Sequence, residues 1–177
     1  MAVTITIGIN SYVYVADADT YFATRLYSDA WTSATADNKA IALIMAAAKI
    51  DRQRLRGQTA NYDQTLKFPR AFYLGNRYNR KYGLTIDNVR GAGWYVEQEV
   101  SKEVIQATCE EALKLLDIAI VVEAEKRSQL KSQGVKRFSL SSLSEDYTTG
   151  AATTEKLLSL EAKQLLKRYL VGAVPIC

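Results

Sequence analysis

The sequence predicts a mainly α fold: a small helical bundle of about four helices, with short β-strand arms or a hairpin and a long aromatic-rich loop excursion. Three observations carry this expectation. Apolar residues recur at helical spacing in four stretches, alternation is confined to short runs, and residues 58–97 follow neither pattern. At 177 residues, 48% of them apolar, the chain is long enough for one cored domain and short for two. Residues 1–177 are therefore read as a single domain.

Thr4-Ile5-Thr6-Ile7 alternates as a strand with one buried face does, and Tyr12-Val13-Tyr14-Val15 is also β-rich, with Gly8 and Asn10 breaking the run between them. Ala18, Phe22 and Leu26 then predict a first helix over about 16–27, with Asp17 and Asp19 suited to the positive end of its dipole. Thr35 is placed to cap a second helix, in which Ile41, Ile44, Met45, Ala48 and Leu55 share a face and Leu43, Ala47 and Ile50 widen it. Its end is expected near Gly57, with Arg52, Arg54 and Arg56 crowding the negative terminus as a solvated cluster.

Residues 58–97 carry Gly75, Gly83, Gly91 and Gly93 among eight aromatics. A loop this long is uncommon in a compact domain unless it is functional or disordered, and aromatic-rich sequence argues against disorder. The expectation is an ordered excursion packing on a neighbour, with a β-hairpin as one form of it. The longest helix starts near Ser101, is apolar around most of its circumference through Val122 and therefore central, and is expected to project its polar end, Glu123 to Lys131, beyond the core. A strand at Val135–Ser141, a Ser/Thr-rich connector and a C-terminal helix over Thr154–Leu170 follow, the last within a helix and tail at about 154–177 that Pro175 interrupts.

The net charge of +4 is concentrated. Arg70, Arg77, Arg80, Lys81 and Arg90 face the single acid Asp87 between positions 70 and 90, and the rest of the chain is balanced. No basic leader followed by a long apolar run opens the chain, and its longest strongly apolar run, Ile118–Val122, is far too short to span a bilayer. A soluble protein made in the cytoplasm is expected, with Cys109 and Cys177 as reduced thiols.

Little in the sequence points to chemistry. Histidine is absent, so Cys109 lacks the usual base and reads as a buried structural thiol. Glu110 and Glu111 are adjacent, point about 100° apart on a helix and form no shared site; Glu110 is expected to face solvent. Gly91-Ala92-Gly93 lacks the rest of a phosphate loop, and Asp17, Asp19 and Asp29 lack calcium-loop spacing. No catalytic residue, cofactor or metal site is expected, and an enzyme is not.

Ser11-Tyr12-Val13 leads into Ala16-Asp17-Ala18-Asp19-Thr20-Tyr21-Phe22. Leu66-Lys67-Phe68-Pro69-Arg70 follows the second helix, and Gln106-Ala107-Thr108-Cys109-Glu110-Glu111-Ala112-Leu113 lies in the longest. In this order the strings resemble the tailed-bacteriophage head-tail connector family, over roughly residues 10–70 and 98–125. Its members are also labelled DnaT-like single-stranded DNA-binding proteins, so the resemblance implies two functions.

The first is a structural virion protein of the neck, at the head-tail interface. It implies a homo-oligomeric adaptor ring of about 12 copies, closed by head-to-tail contacts, that docks on the portal protein and meets the next neck or tail-completion protein. Duplex DNA would pass through its lumen, with no membrane involved. Leu157, Leu160, Lys167, Val174 and Ile176 are the candidate portal contacts, although Leu157 and Leu160 could equally complete the chain's own core.

The second function is single-stranded DNA binding in replication. Cations track phosphates while aromatic faces stack on bases, and Arg70, Arg77, Arg80 and Lys81 are interleaved with Tyr73, Tyr78 and Tyr82, with Arg90 closing the basic stretch. The same composition suits a protein interface, where Tyr and Arg are enriched, so these residues are candidates for a DNA-facing or an inter-subunit surface.

Overall fold

The computed structural model describes residues 3–74, 93–117 and 157–171, positions 120–122, 125–126 and 129, and strands at 137–140 and 143–146. The architecture is helix-rich and mixed. Helices α1 (Val15–Ala23), α2 (Asp29–Thr32) and α3 (Ala36–Asp51) are followed by strands β1 (Gln58–Thr59), β2 (Arg70–Tyr73) and β3 (Trp94–Val96). Then come α4 (Lys102–Leu116), β4 (Arg137–Leu140), β5 (Leu143–Asp146) and α5 (Leu160–Leu165).

The first helix stops four residues earlier than its spacing predicts, because the chain turns sharply at Tyr27, whose φ is +59°. The turn leads into α2, which the sequence does not announce. It exists to bury Trp31, whose ring packs 4.8 Å from that of Phe22 and whose indole N–H donates to Asp19 Oδ1 at 2.8 Å. The predicted strand over Thr4–Ile7 is reduced to a single bridge between Ile7 and Ser11, since no neighbouring strand lies alongside it among the described residues.

Thr35 caps α3 as expected, its hydroxyl accepting from the Asn38 amide at 3.3 Å. The buried stripe of α3 differs from the predicted one. Ala42, Leu43, Ala46, Ala47 and Ile50 are enclosed, while Ile41 and Met45 remain exposed. Small side chains let α3 approach α4 closely, where Ala107, Cys109 and Ala112 face it in two adjoining clusters. The helix ends at Asp51 rather than near Gly57. The Asp51 carboxylate accepts from Tyr12 Oη and, at 3.1 Å, from the Lys67 amide, which ties the helix end to the turn before β2.

The excursion at 58–97 contributes a three-stranded antiparallel sheet in the order β1-β2-β3. Gln58 opposes Ala71, and Phe72 opposes Tyr95. Gly57 has φ +73°, and a Cβ there would lie 2.3 Å from the Ala71 carbonyl oxygen, so the turn into β1 admits only glycine comfortably. Ser101 sits at the N-cap of α4, its hydroxyl sharing a 2.9 Å hydrogen bond with Tyr169 Oη. The predicted run through Val122 is interrupted at Asp117, which is extended at ψ 96°. The strand predicted at 135–141 is β4, paired in register with β5 of the same chain.

Among the described residues of the C-terminal side, Leu160–Leu165 forms a helix, capped by Ser159 Oγ accepting from the Ala162 amide at 3.1 Å. Residues 154–156, where the longer helix was expected to begin, lie outside the described residues. Ala162, Leu166 and Tyr169 fall in one core cluster with Tyr12, Phe68 and Val104, as the predicted apolar face requires.

Candidate functional site

The last residue of β2, Tyr73, stands directly opposite the first of β3, Trp94. Side chains alternate along a strand, so Phe72 turns the other way and packs on Tyr169, with ring centroids 6.1 Å apart. Tyr73 and Trp94 are left together on the opposite face, with ring centroids 5.5 Å apart and planes at 57°. Tyr73 is 61% exposed and Leu74 beside it 40%. The Leu74 amide donates to the Gly93 carbonyl at 2.8 Å and closes this end of the ladder. In sequence, the chain between these two residues carries most of the basic excess. Arg77, Tyr78, Arg80, Lys81, Tyr82 and Arg90 lie outside the described residues.

Arg70 departs from the surface role expected of it. It is only 4% exposed, and its guanidinium is spent on backbone carbonyls: Nε to Arg56 at 2.6 Å, Nη2 to Gly57 at 2.7 Å and Nη1 to Lys67 at 3.1 Å. Burial draws its pKa below the ordinary arginine value, countered by the charges of Tyr12, Asp51, Glu97 and Tyr169 nearby. Arg70 is therefore an internal clamp on the turn entering β1. The surrounding string is architectural too. Phe68 is buried against Tyr12 and Tyr169, and Gln64 Nε2 donates to the Leu66 and Pro69 carbonyls at 2.7 and 3.1 Å.

Glu110 also differs from expectation, being 1% exposed rather than solvated. It accepts from Tyr21 Oη at 2.6 Å and holds Arg25 by two prongs, Nε–Oε1 at 2.7 Å and Nη2–Oε2 at 3.0 Å. Glu111, pointing elsewhere on the helix, is fully enclosed. Lys49 Nζ reaches its Oε1 at 3.0 Å, and the amides of Leu158 and Ser159 donate to it at 3.0 and 2.9 Å. Both carboxylates are occupied in holding elements together.

Cys109 is buried as the sequence suggests, and burial pushes its thiol up to about 12, with the Glu110 charge adding to the effect. Among the described residues no group of three metal-ligating side chains converges, and no helix is long and apolar enough to cross a membrane. Of the residues predicted to meet a portal, Leu157 packs against the core. Leu160 is 69% exposed, Lys167 is exposed, and Val174 and Ile176 lie outside the described residues.

Sequence reasoning set Tyr73 among the aromatics interleaved with the basic residues and counted Trp94 only among the eight of the excursion. Their pairing depends on strand register across a twenty-residue separation, and the only local signal was their place at the two ends of the basic stretch.

A family model described as "Putative DnaT-like ssDNA binding protein" matches residues 2–176. No curated protein and no solved structure matches the chain. The family description overturns the expectation of a head-tail adaptor: it points to single-stranded DNA in place of a portal-docking ring of a dozen copies around duplex DNA, and nothing in the comparisons indicates a virion, neck, portal or tail-completion partner. The connector strings that suggested that reading are built into the core as Tyr12, Phe22, Phe68, Arg70 and Glu110, and so report a fold rather than a docking surface.

Proposed function

The chain belongs to the DnaT-like single-stranded DNA-binding family, and from that premise we propose that it binds single-stranded DNA without sequence readout and without a catalytic step. The observation that carries the reading is the Tyr73–Trp94 pair, two aromatic rings held together on a sheet face and flanked in sequence by the basic excess. Aromatic faces stack on any base, each base contributing roughly 1–3 kcal/mol, while cations nearby follow the phosphates. The sheet supplies rigidity, since Tyr73 and Trp94 are opposed in register and the ladder closes at Leu74 and Gly93. On this reading Arg77, Arg80, Lys81 and Arg90 supply the phosphate contacts, with Tyr78 and Tyr82 as further stacking partners. The protein would act in the cytoplasm, where replicating DNA is exposed.

Titration with an oligothymidylate, followed by tryptophan fluorescence, tests the proposal. Trp31 is buried and bonded to Asp19, so quenching on binding should come from Trp94 and vanish in W94F. Y73A should weaken binding by roughly 1–3 kcal/mol. Replacing Arg77, Arg80 and Lys81 together by glutamine should lower affinity and flatten its salt dependence. Absence of binding by the wild-type protein at low salt would overturn the reading.

A further inference from the structure

Which face of the sheet Trp94 occupies is a matter of strand register, and the residues of β3 do not choose it. Trp94, Tyr95 and Val96 are all large and none is buried. A slip by one residue turns every side chain of a strand to its other face, and here it would exchange Trp94 for Tyr95 with little change in burial. Nor can a tight turn set the pairing, since residues 74–93 separate the two strands in sequence. Hydrogen bonds decide it.

At the end of the ladder away from Tyr73, the observed register sets Arg70 opposite Glu97. The Glu97 amide donates to the Arg70 carbonyl at 2.9 Å. In a regular antiparallel pair the return bond ends on the partner's carbonyl, whereas here Arg70 N donates to the Glu97 side chain, Oε2, at 3.2 Å. The other carboxylate oxygen, Oε1, accepts from Tyr169 Oη at 2.6 Å and lies 3.6 Å from Arg168 Nη2, and the side chain is 9% exposed. Arg70 is itself clamped to three backbone carbonyls. Glu97 therefore ties β3 both to the clamped first residue of β2 and to Tyr169, on whose ring Phe72 packs. Counted along the ladder from Arg70 and Glu97, Tyr73 and Trp94 fall where opposed residues exchange no backbone bonds and their side chains come closest.

We infer that Glu97 is a positioning residue for the aromatic pair: its carboxylate fixes the β2–β3 register that sets Trp94 beside Tyr73. The consequence for binding rests on the single-stranded DNA reading, while the register is measurable without DNA. Removing an acid would, on charge alone, strengthen the attraction of a polyanion, so weaker binding by E97A has no electrostatic explanation.

The test is fluorine NMR of the fluorotryptophan-labelled protein, in which Trp31 and Trp94 each give a resonance, assigned with W94F. In E97A the Trp94 resonance should move or split, while that of Trp31, buried and bonded to Asp19, stays in place. Oligothymidylate affinity should fall by about 5-fold or more in E97A, the loss expected for one stacked base. W94A/E97A should bind no more weakly than W94A, because the two changes act through one contact. E97Q, whose amide oxygen still accepts from Arg70 N, should restore both readouts. In the wild type the Arg70 amide should be protected from hydrogen exchange. An unmoved Trp94 resonance in E97A, equal displacement of both resonances, or a freely exchanging Arg70 amide overturns the inference and leaves the DNA-binding reading standing. Displacement of the Trp94 resonance alone in E97A, with no binding by the wild type, upholds the register role and overturns the DNA-binding reading.

Discussion

Glu111 has no water to fall back on. Its oxygens are satisfied by Lys49 and by the amides of Leu158 and Ser159, all within 3.0 Å. Removing one partner of an enclosed ion pair leaves the other charge without compensation, which costs about 3–5 kcal/mol. E111A should therefore lose stability of that order in a denaturant titration, with two amides left short of an acceptor as well. K49M should cost less, because Glu111 retains both amide donors. Equal losses in the two variants would show that the amides contribute little. The adjacent Glu110 shows why the sequence misled at this position. A glutamate on a helix ordinarily marks the wet side, and its partners Tyr21 and Arg25 stand 89 and 85 residues away in the chain, beyond any local pattern. Arg70 misled for the same reason, its acceptors being backbone carbonyls that no side-chain sequence reveals.

At the scale of elements, Asp19 joins three helices. From α1 it accepts from the indole of Trp31 on α2 and from Lys39 Nζ on α3, both at 2.8 Å. Desolvation pushes its pKa upward, but the bonds from Lys39 and Trp31 outweigh it and the carboxyl ends below its ordinary 3.8. A depressed folded pKa means that the stability it confers is present above the unfolded value and is lost as pH falls through the folded one. Melting temperature should accordingly decline on acidification below about pH 4, and D19N should show a shallower decline than the wild type. Parallel curves would remove this contact from the acid response. The helices themselves were readable in part. Thr35 announced the start of α3 because capping chemistry is local, and Ser101 marked that of α4 by position, although its side chain makes no cap bond and meets Tyr169 instead. The buried stripe of α3 was not, because its alanines matter only through the close approach of α4. Strands of two to four residues are too short to show alternation, so the sequence went no further than an ordered excursion with a hairpin as one form of it, and the three-stranded order stayed hidden.

For the whole molecule, apolar content and helical spacing pointed to a cored, helix-rich chain, and the order of weak motifs led to a family of whose two implied functions the sequence favoured the adaptor, the one the family description overturns. Those motifs lie in the core, so they carry the fold and are silent on the surface. The part of the site that was legible, the basic excess, lies between strands whose register makes its aromatic flank. Cys109 offers a reporter of the intact core. With the thiol held up to about 12 and no exposure, C177S should show no reaction with a thiol reagent at neutral pH until denaturant is added. It should then release one equivalent along the same transition as circular dichroism. Reaction of the native protein would show that the α3–α4 interface opens well short of global unfolding.

The docking of residues 157–171 onto groups far earlier in the chain also orders events during synthesis. Tyr12, Phe68 and Val104 share a cluster with Ala162, Leu166 and Tyr169, and Glu111 awaits the amides of Leu158 and Ser159. While the ribosome adds the intervening residues, at roughly 5–20 per second, the nascent chain must carry an open apolar seam and a buried-to-be carboxylate for several seconds. Those seconds are when this protein is most open to capture by chaperones.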